Sequence, residues 1–379
     1  CHTPGEALAP GDETDLIFEG FCTFADPPKE SAGDALKRLS ALGVRVKVLS
    51  GDDPLVVARI AGLVGLNAEA ILSGSELVGL SDAALRARVL TIDLYGRLTP
   101  DQKVRVVRAL QANGETVGFL GDGVNDAPGI RVADVGLSVD GATGVARAAA
   151  DMILLAPDLN VVADGVEEGR RTFANILKYI RMGSSSNFGN MLSMAVASLF
   201  LPFLPLLATQ ILLNNLLYDL SEVGIPFDTV DDADLNRPQR WNMSDIIRYA
   251  GVMGLLSSVF DGLTFVVLLL GFHVAAPEFR TAWFLESIAT QILVVFLIRT
   301  RGLPWRTPPD RRLLASAILA LAIAVIIPFT PAGQWFAFAT PHIGVLLASG
   351  GISLAYLASA EALKRVAIRT PHTNQRKLG

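Results

Sequence analysis

Hydrophobic patterning divides the chain near residue 180. Before that point, short apolar runs alternate with amphipathic stretches. Runs at 16–24, 44–49, 89–94, 116–120, 135–139 and 152–155 end in turn or glycine signals and predict strands. Stretches 30–41, 54–64, 101–112 and 143–150 carry helical periodicity. Strands alternating with helices predict a doubly wound parallel sheet. From 184 onward the pattern is apolar with few charges. Segments 184–202, 205–224, 246–272, 281–299, 312–329 and 342–362 approach the ~20 residues of a membrane span, which predicts six transmembrane helices. Between the halves, Glu167, Glu168, Arg170, Arg171, Lys178 and Arg181 interleave with Val166, Phe173, Ile176, Leu177 and Ile180. One amphipathic stalk helix is expected there, running into the first span. The expected division is 1–160, 161–183, 184–363 and a basic tail, 364–379.

Charge orients this plan. Connections around 225–245 and 300–311 and the tail beyond 362 hold Arg237, Arg240, Arg299, Arg301, Arg306, Arg311, Arg312, Lys364, Arg365, Arg369, Arg376 and Lys377. The opposite loops near 203, 273–280 and 330–341 hold only Arg280. The positive-inside rule then puts the soluble half and the C-terminus in the cytoplasm. A net charge of −5, with no basic patch interleaved with aromatics, argues against a nucleic-acid partner. The two cysteines, Cys1 and Cys22, form no CxxC pair and give no support to a structural zinc site or disulfide scaffold. Opening on Cys1 without a signal-like stretch leads us to expect a fragment.

The chemistry concentrates in a few short motifs. Gly121-Asp-Gly-Val-Asn-Asp-Ala-Pro128 follows the apolar strand 116–120. It places Asp122 and Asp126 on a glycine-rich loop at a strand's C-terminal end, where open α/β sheets bind ligands and where hard oxygen ligands suit Mg²⁺. Ser50-Gly51-Asp52 ends another strand; a hydroxyl and a backbone N–H there can hold a phosphate oxygen. Thr99 and Pro100 read as N-cap and first residue of a helix whose first turn carries Lys103. In the membrane half, Asn187 and Asn190 share a helix face. Asn215, Asp219 and Glu222 form a polar stripe, with Asn214 and Gln210 nearby. Polar groups at such depth are functional candidates. Amides with a carboxylate suit a hard, partly hydrated cation; interhelical hydrogen bonding is the alternative. Glu222, nearer the cytoplasmic end, reads as solvated. Asp261 and Glu286 each stand alone in their helices and read as packing or secondary polar contacts.

The order Ser50, Lys103, Asp122/Asp126 resembles the haloacid-dehalogenase-type phosphohydrolases. With Asp26-Pro-Pro-Lys29, Ser50-Gly-Asp52, Leu98-Thr-Pro-Asp-Gln-Lys103 and Gly121–Pro128, residues 1–160 resemble the phosphorylation domain of P-type cation-transporting ATPases. Ser185-Ser-Asn-Phe-Gly-Asn190, Asn215-Leu-Leu-Tyr-Asp219 and Asn236-Arg237-Pro238 extend the likeness into the membrane half, and Ile225-Pro-Phe-Asp228 is most like the bacterial magnesium-transporting branch. The resemblance implies an incomplete haloacid-dehalogenase-like α/β domain followed by an all-α six-helix transmembrane domain. It implies catalysis supported by Ser50, Gly51, Asp52, Lys103, Asn125 and Asp126. Ser50 and Lys103 would face the phosphoryl group of ATP, and Asp122 and Asp126 the catalytic Mg²⁺. Asn187, Asn190, Asn215 and Asp219 would meet the transported divalent cation. The protein would sit in the lipid bilayer of the plasma (bacterial inner) membrane.

The nucleophilic aspartate of an Asp-Lys-Thr-Gly-Thr motif is absent from the sequence. Asp140 is a decoy, with Gly141 where lysine should stand. The missing N-terminal pump domains are therefore expected in cis or in trans, and this chain alone is expected to be inactive. Calcium pumps carry a carboxylate at the position of Asn190, and the membrane segments lack the cysteines of heavy-metal pumps; Ca²⁺ or H⁺ transport stays open. The competing readings are a membrane-tethered phosphatase and the non-catalytic half of a split pump.

Overall fold

A computed structural model describes residues 17–20, 27–156, 158–236, 238–300 and 302–367. Asp26, both cysteines, Arg237, Arg301 and the tail beyond 367 lie outside the described residues, as does most of the predicted strand at 16–24; its described part, 17–20, forms no strand. The chain divides into two compact units, Cys1–Arg38 with Arg45–Val161, and Leu39–Val44 with Val162–Gly379.

The first unit runs α1 (Ala32–Ala41), β1 (Val48–Leu49), α2 (Pro54–Leu63), β2 (Ile71–Ser73), α3 (Gly74–Val78), α4 (Asp82–Arg88), β3 (Leu94–Gly96), α5 (Pro100–Ala112), β4 (Gly118–Leu120), α6 (Ala127–Val132), β5 (Val135–Val139), α7 (Gly144–Ala149) and β6 (Met152–Leu154). All described pairings are parallel, but they form two three-stranded sheets, ordered β1-β3-β2 and β4-β5-β6, where one doubly wound sheet was expected. Local signals explain the helix starts. Thr99 Oγ1 accepts the amide of Gln102, Gln102 Oε1 accepts the amide of Thr99, and Pro100 occupies the first turn where no N–H is needed. Behind that cap, Val106 and Ala109 pack with Leu77, Leu85, Val89 and Tyr95. Val107, on the same helix, packs with Phe119 and Ile130. Helix α5 thus contributes to the apolar cores beside both sheets.

The second unit holds most of α8 (Asn160–Phe200), then α9 (Ala208–Glu222), α10 (Asp232–Leu235), α11 (Met243–Val266), α12 (Ala276–Ile298), α13 (Arg311–Ile326) and α14 (Ile343–Ala367). The predicted stalk and first span are one uninterrupted 41-residue helix, α8. Among the described residues, four segments are long and apolar enough to cross a membrane: Met243–Gly271, Ala276–Ile298, Arg311–Phe329 and Ile343–Lys364. Helix α12 is the core of this bundle. Phe279, Trp283, Phe284, Ile288 and Ile292 are buried along it, and Trp283 meets Phe265 edge-on at 4.8 Å. Helices α8 and α11 cross through glycines. A Cβ on Gly254 would lie 2.9 Å from the Ser185 carbonyl oxygen and 3.1 Å from the Gly189 nitrogen. Ser258 Oγ donates to the Gly189 carbonyl at 3.0 Å across this crossing.

Two cations read as loop or tail charges are structural instead. Arg299 is 3% exposed and grips both oxygens of Asp228, at 2.8 and 3.0 Å. Lys364 is 1% exposed, donates to the carbonyls of Leu297 (3.1 Å) and Gly302 (2.6 Å), and pairs with Glu361 at 2.8 Å. Asp228 also receives Lys178 of α8 at 3.0 Å and the Asp310 amide at 3.3 Å. Burial pulls the Lys178 ammonium below its ordinary value, and the Asp228 carboxylate opposes that shift. Removing one partner from such a cluster strands the others away from water. Asp228→Asn should therefore lower the stability of the solubilised protein by about 3 kcal/mol or more, read as a fall in its thermal midpoint. A midpoint like that of the parent would dismiss Asp228 as the tie.

Candidate functional site

The Gly121–Pro128 loop leaves β4 and turns through a short 3₁₀ segment, Val124–Asp126, into α6. Its geometry is fixed from several sides. Lys103 Nζ, on the first turn of α5, donates to Asp126 Oδ1 at 2.7 Å, and the Gly123 amide donates to Asp126 Oδ2 at 3.2 Å. Lys103 is 8% exposed, so this contact is shielded and charge-assisted. Gly121 must lack a side chain, because a Cβ there would press on the Cβ and Cγ of Asp126. Ser138 Oγ donates to the Gly121 carbonyl at 2.9 Å, and the Thr143 amide and hydroxyl donate to the Asp122 carbonyl at 2.9 and 3.2 Å. With its backbone pinned, Asp122 is exposed, and its carboxylate meets no partner among the described residues. Asn125 is exposed on the same loop.

Ser50 ends β1 with its amide on the Tyr95 carbonyl (3.1 Å) and its own carbonyl on the Leu98 amide (3.0 Å). Ser50 Oγ donates to Asp52 Oδ2 at 2.8 Å, and the Asp52 amide returns to Ser50 Oγ at 3.1 Å, closing a tight turn around Gly51. The turn is braced by Arg97, whose amide donates to the Asp52 carbonyl at 2.7 Å and whose φ of +51° is left-handed. The structure therefore joins Lys103 to the Asp126 loop directly. Ser50 and Asp52 bond to each other and to the end of β3, not to that loop. Ser138, Thr143 and Arg97 escaped the sequence reading; only Thr143, N-cap of α7, had a local signal.

In the second unit, a cavity of about 140 Å³ is lined by Asn187, Asn190, Met191, Leu206, Ile211, Asn214, Asn215, Trp283 and Ser287. It gathers Asn187, Asn190 and Asn215 as expected neighbours. Asp219 is exposed and does not line it. Asn214, given less weight than its neighbours, is buried with its Oδ1 unpartnered, an acceptor in want of a donor or cation. Ser287 Oγ donates to Asn190 at 3.4 Å and accepts from Gln291 at 2.7 Å. Gln210, by contrast, caps the Leu207 amide and bonds the Phe336 carbonyl, which is a structural role. Glu222 is 3% exposed, correcting its reading as solvated. Among the described residues no group of three or more His, Cys, Asp or Glu side chains is placed to hold a metal; the polar lining of this cavity consists of amide and hydroxyl groups.

Lys103→Met should unlatch the Gly121–Asp126 loop. Loss of a charge-assisted bond in this setting corresponds to amide exchange about tenfold faster or more, measured by hydrogen exchange over residues 121–126. Parent-like exchange would separate Lys103 from the loop's order.

Residues 203–366 match the family model for the C-terminus of cation transporting ATPases, and residues 5–134 match that for haloacid dehalogenase-like hydrolases. The chain is 49% identical over 329 residues to a protein of Salmonella typhimurium named "Magnesium-transporting ATPase, P-type 1", covering 86% of this chain and 36% of that protein. An Escherichia coli protein of the same name is 48% identical over 329 residues, covering 86% and 37%. A further Salmonella typhimurium protein of that name is 44% identical over 367 residues, covering 96% and 40%. The chain thus spans little more than a third of the length of these relatives. With an aspartate loop of this build and several long apolar helices in one polypeptide, the chain belongs to the P-type cation-transporting ATPases.

Proposed function

We propose that this chain is the C-terminal portion of an ATP-driven pump that moves Mg²⁺ across the plasma membrane through an aspartyl-phosphate. The phosphorylated aspartate lies outside these residues. The observation that carries the reading is the division of labour in the Gly121–Pro128 loop. Both Asp126 oxygens are occupied, by Lys103 and by the Gly123 amide, while the pinned Asp122 carboxylate is open. Asp122 is therefore the residue to hold the catalytic Mg²⁺, and Asp126 fixes Lys103. Mg²⁺ so held supplies positive charge to the oxygens of a transferring phosphoryl group. Ser50, the Gly51 backbone and Lys103 would position that group, with Asp52 orienting Ser50 and Asn125 supporting the loop; catalysis of this kind is mostly positioning and electrostatics.

The amide-lined cavity supports Mg²⁺ as cargo. Mg²⁺ sheds water reluctantly, and a site rich in neutral oxygens leaves much of its hydration in place. The relatives' names agree. Asn187, Asn190 and Asn215 line the cavity; Asp219 lies one helical turn beyond Asn215 and would complete the site from α9. Asn215 and Asp219 are exposed on the same helix as exposed Leu212 and Leu216. A carboxylate facing hydrocarbon is costly, so this face calls for further pump helices, supplied in cis or in trans. We read the later part of α8 and α9 as two more spans. That gives six crossings and, by the positive-inside rule, a cytoplasmic soluble half and C-terminus in a bacterial inner membrane. Residues 1–160 would then be the phosphorylation domain, 161–183 the stalk and 184–363 the membrane domain.

In the full-length parent, Asp122→Asn should abolish phosphoenzyme formation from labelled ATP; normal labelling would remove Asp122 from the site. Asp219→Asn should raise the Mg²⁺ concentration for half-maximal ATPase stimulation by about tenfold or more while labelling at saturating Mg²⁺ persists. Unchanged stimulation would exclude Asp219 as a cargo ligand.

A further inference from the structure

Helix α9 buries three polar groups at positions i, i+4 and i+8: Asn214, Tyr218 and Glu222. They share one face of the helix, in steps of about 6 Å along its axis. Each carries a buried oxygen with no hydrogen-bond partner among the described residues: Asn214 Oδ1, the Tyr218 hydroxyl and Glu222 Oε1. Such oxygens are few in a folded chain, and three in line on one face call for a common cause. The row begins at the amide cavity, whose wall includes Asn214. It ends at Glu222, the last residue of α9, which is 3% exposed. Tyr218, between them, is 4% exposed, and its phenol is approached by Glu222 and by Ser186 of α8. Ser186 in turn precedes Asn187, another residue of the cavity wall.

Glu222 differs from the other buried acids. Asp228 is held by Arg299 and Lys178. Asp261 of α11 and Glu286 of α12 are bonded to each other, and Asp261 also accepts from Ser193 at 2.6 Å and from Trp283 at 2.8 Å. The groups that act on Glu222 are the Tyr218 phenol and a second carboxylate, Asp219, one turn back. Among the described residues no lysine or arginine offsets it. A carboxylate buried without a cationic partner is strongly unfavourable, and a bound cation relieves it.

We propose that Glu222, with the hydroxyls of Tyr218 and Ser186, forms a second cation site, joined to the amide cavity by the row that starts at Asn214. Its donors are all oxygen, which selects a hard cation. One carboxylate among neutral oxygens suits Mg²⁺ that keeps several of its waters. The inference rests on the pump reading above, in which α9 runs toward the cytoplasm. Glu222 is then the station between the amide cavity and the cytoplasmic end of the bundle. Asn214 and Tyr218 offer an unsatisfied oxygen at each step between the two, so a cation crossing this stretch exchanges one water contact at a time.

The test counts bound Mn²⁺, an oxygen-seeking stand-in for Mg²⁺, by electron paramagnetic resonance. The full-length parent is used in nanodiscs of zwitterionic lipid, in an Asp122→Asn background that removes the catalytic metal. Two ions that Mg²⁺ displaces are expected per chain. Glu222→Gln, which preserves size and hydrogen-bonding capacity, should remove one of them, and Asn190→Ala should weaken the other. Retention of both ions by a folded Glu222→Gln protein, or fewer than two in the Asp122→Asn background, overturns the second site. If Glu222→Gln does not fold, Tyr218→Phe decides: affinity about tenfold lower at one of two sites supports the proposal, and unaltered affinity at both refutes it. An ion lost in Glu222→Gln while Asn190→Ala binds as its background does leaves the Glu222 site standing and removes the cavity as a cargo site. Phosphoenzyme formation in Asp122→Asn reports on the pump reading separately, so the two can fail independently.

Discussion

Much of the second unit depends on one buried carboxylate. Asp228 leaves the short 3₁₀ turn after α9 and is met by Arg299 at the end of α12, by Lys178 midway along α8, and by the Asp310 amide at the entrance to α13. Backbone carbonyls take up further donors of the two cations: Thr229 accepts from Lys178 and Thr307 from Arg299. Asn175, a turn before Lys178, donates to the carbonyls of Pro226 and Asp228. A cluster like this adds less to net stability than its short distances suggest, because each charge has given up water. What it specifies is register. Any slide of α8 along its axis would separate Lys178 and Asn175 from the loop together.

The bundle distributes its polar groups by the same rule. Where amides line the cavity, charge is withheld, and hydroxyl and amide groups satisfy one another through Gln291, Ser287 and Asn190. Where a carboxyl group is admitted, as at Asp261, neutral donors meet both its oxygens. The Gly121–Pro128 loop in the first unit follows a parallel scheme. Asp126 is saturated by Lys103 and Gly123, so that the neighbouring Asp122 can remain exposed and unsatisfied.

Features with local physical causes were legible in the sequence. The cap at Thr99-Pro100 and the Gly121–Pro128 loop after a short apolar strand appear where the pattern put them, because capping and glycine requirements are written in adjacent residues. The β2–α3–α4 stretch was missed: a three-residue strand has too few positions to show a period. Among the described residues the strands form two sheets; most of the predicted strand at 16–24 lies outside them, and strand order depends on long-range packing that no local period encodes. Arg299 and Lys364 were counted as loop and tail charges because charge patterning registers the side of the membrane, not the partner. Asp261 and Glu286 read as solitary for a related reason: periodicity reports neighbours along one helix and is blind to a neighbour on the next. Asn214 and Asn215 look alike in the sequence because burial, not residue type, separates them.

The glycine crossing of α8 and α11 has a mechanical consequence. Interdigitated side chains lock most helix pairs into one angle, but at Gly189 and Gly254 backbone lies on backbone. Such a contact acts as a bearing: it bears load while opposing little torque. Asn187 and Asn190 share one face of α8 beside this point, so a small roll of the helix carries both amides in the same sense. The amide lining of the cavity would advance or withdraw as a unit, without α8 lengthening, bending or breaking.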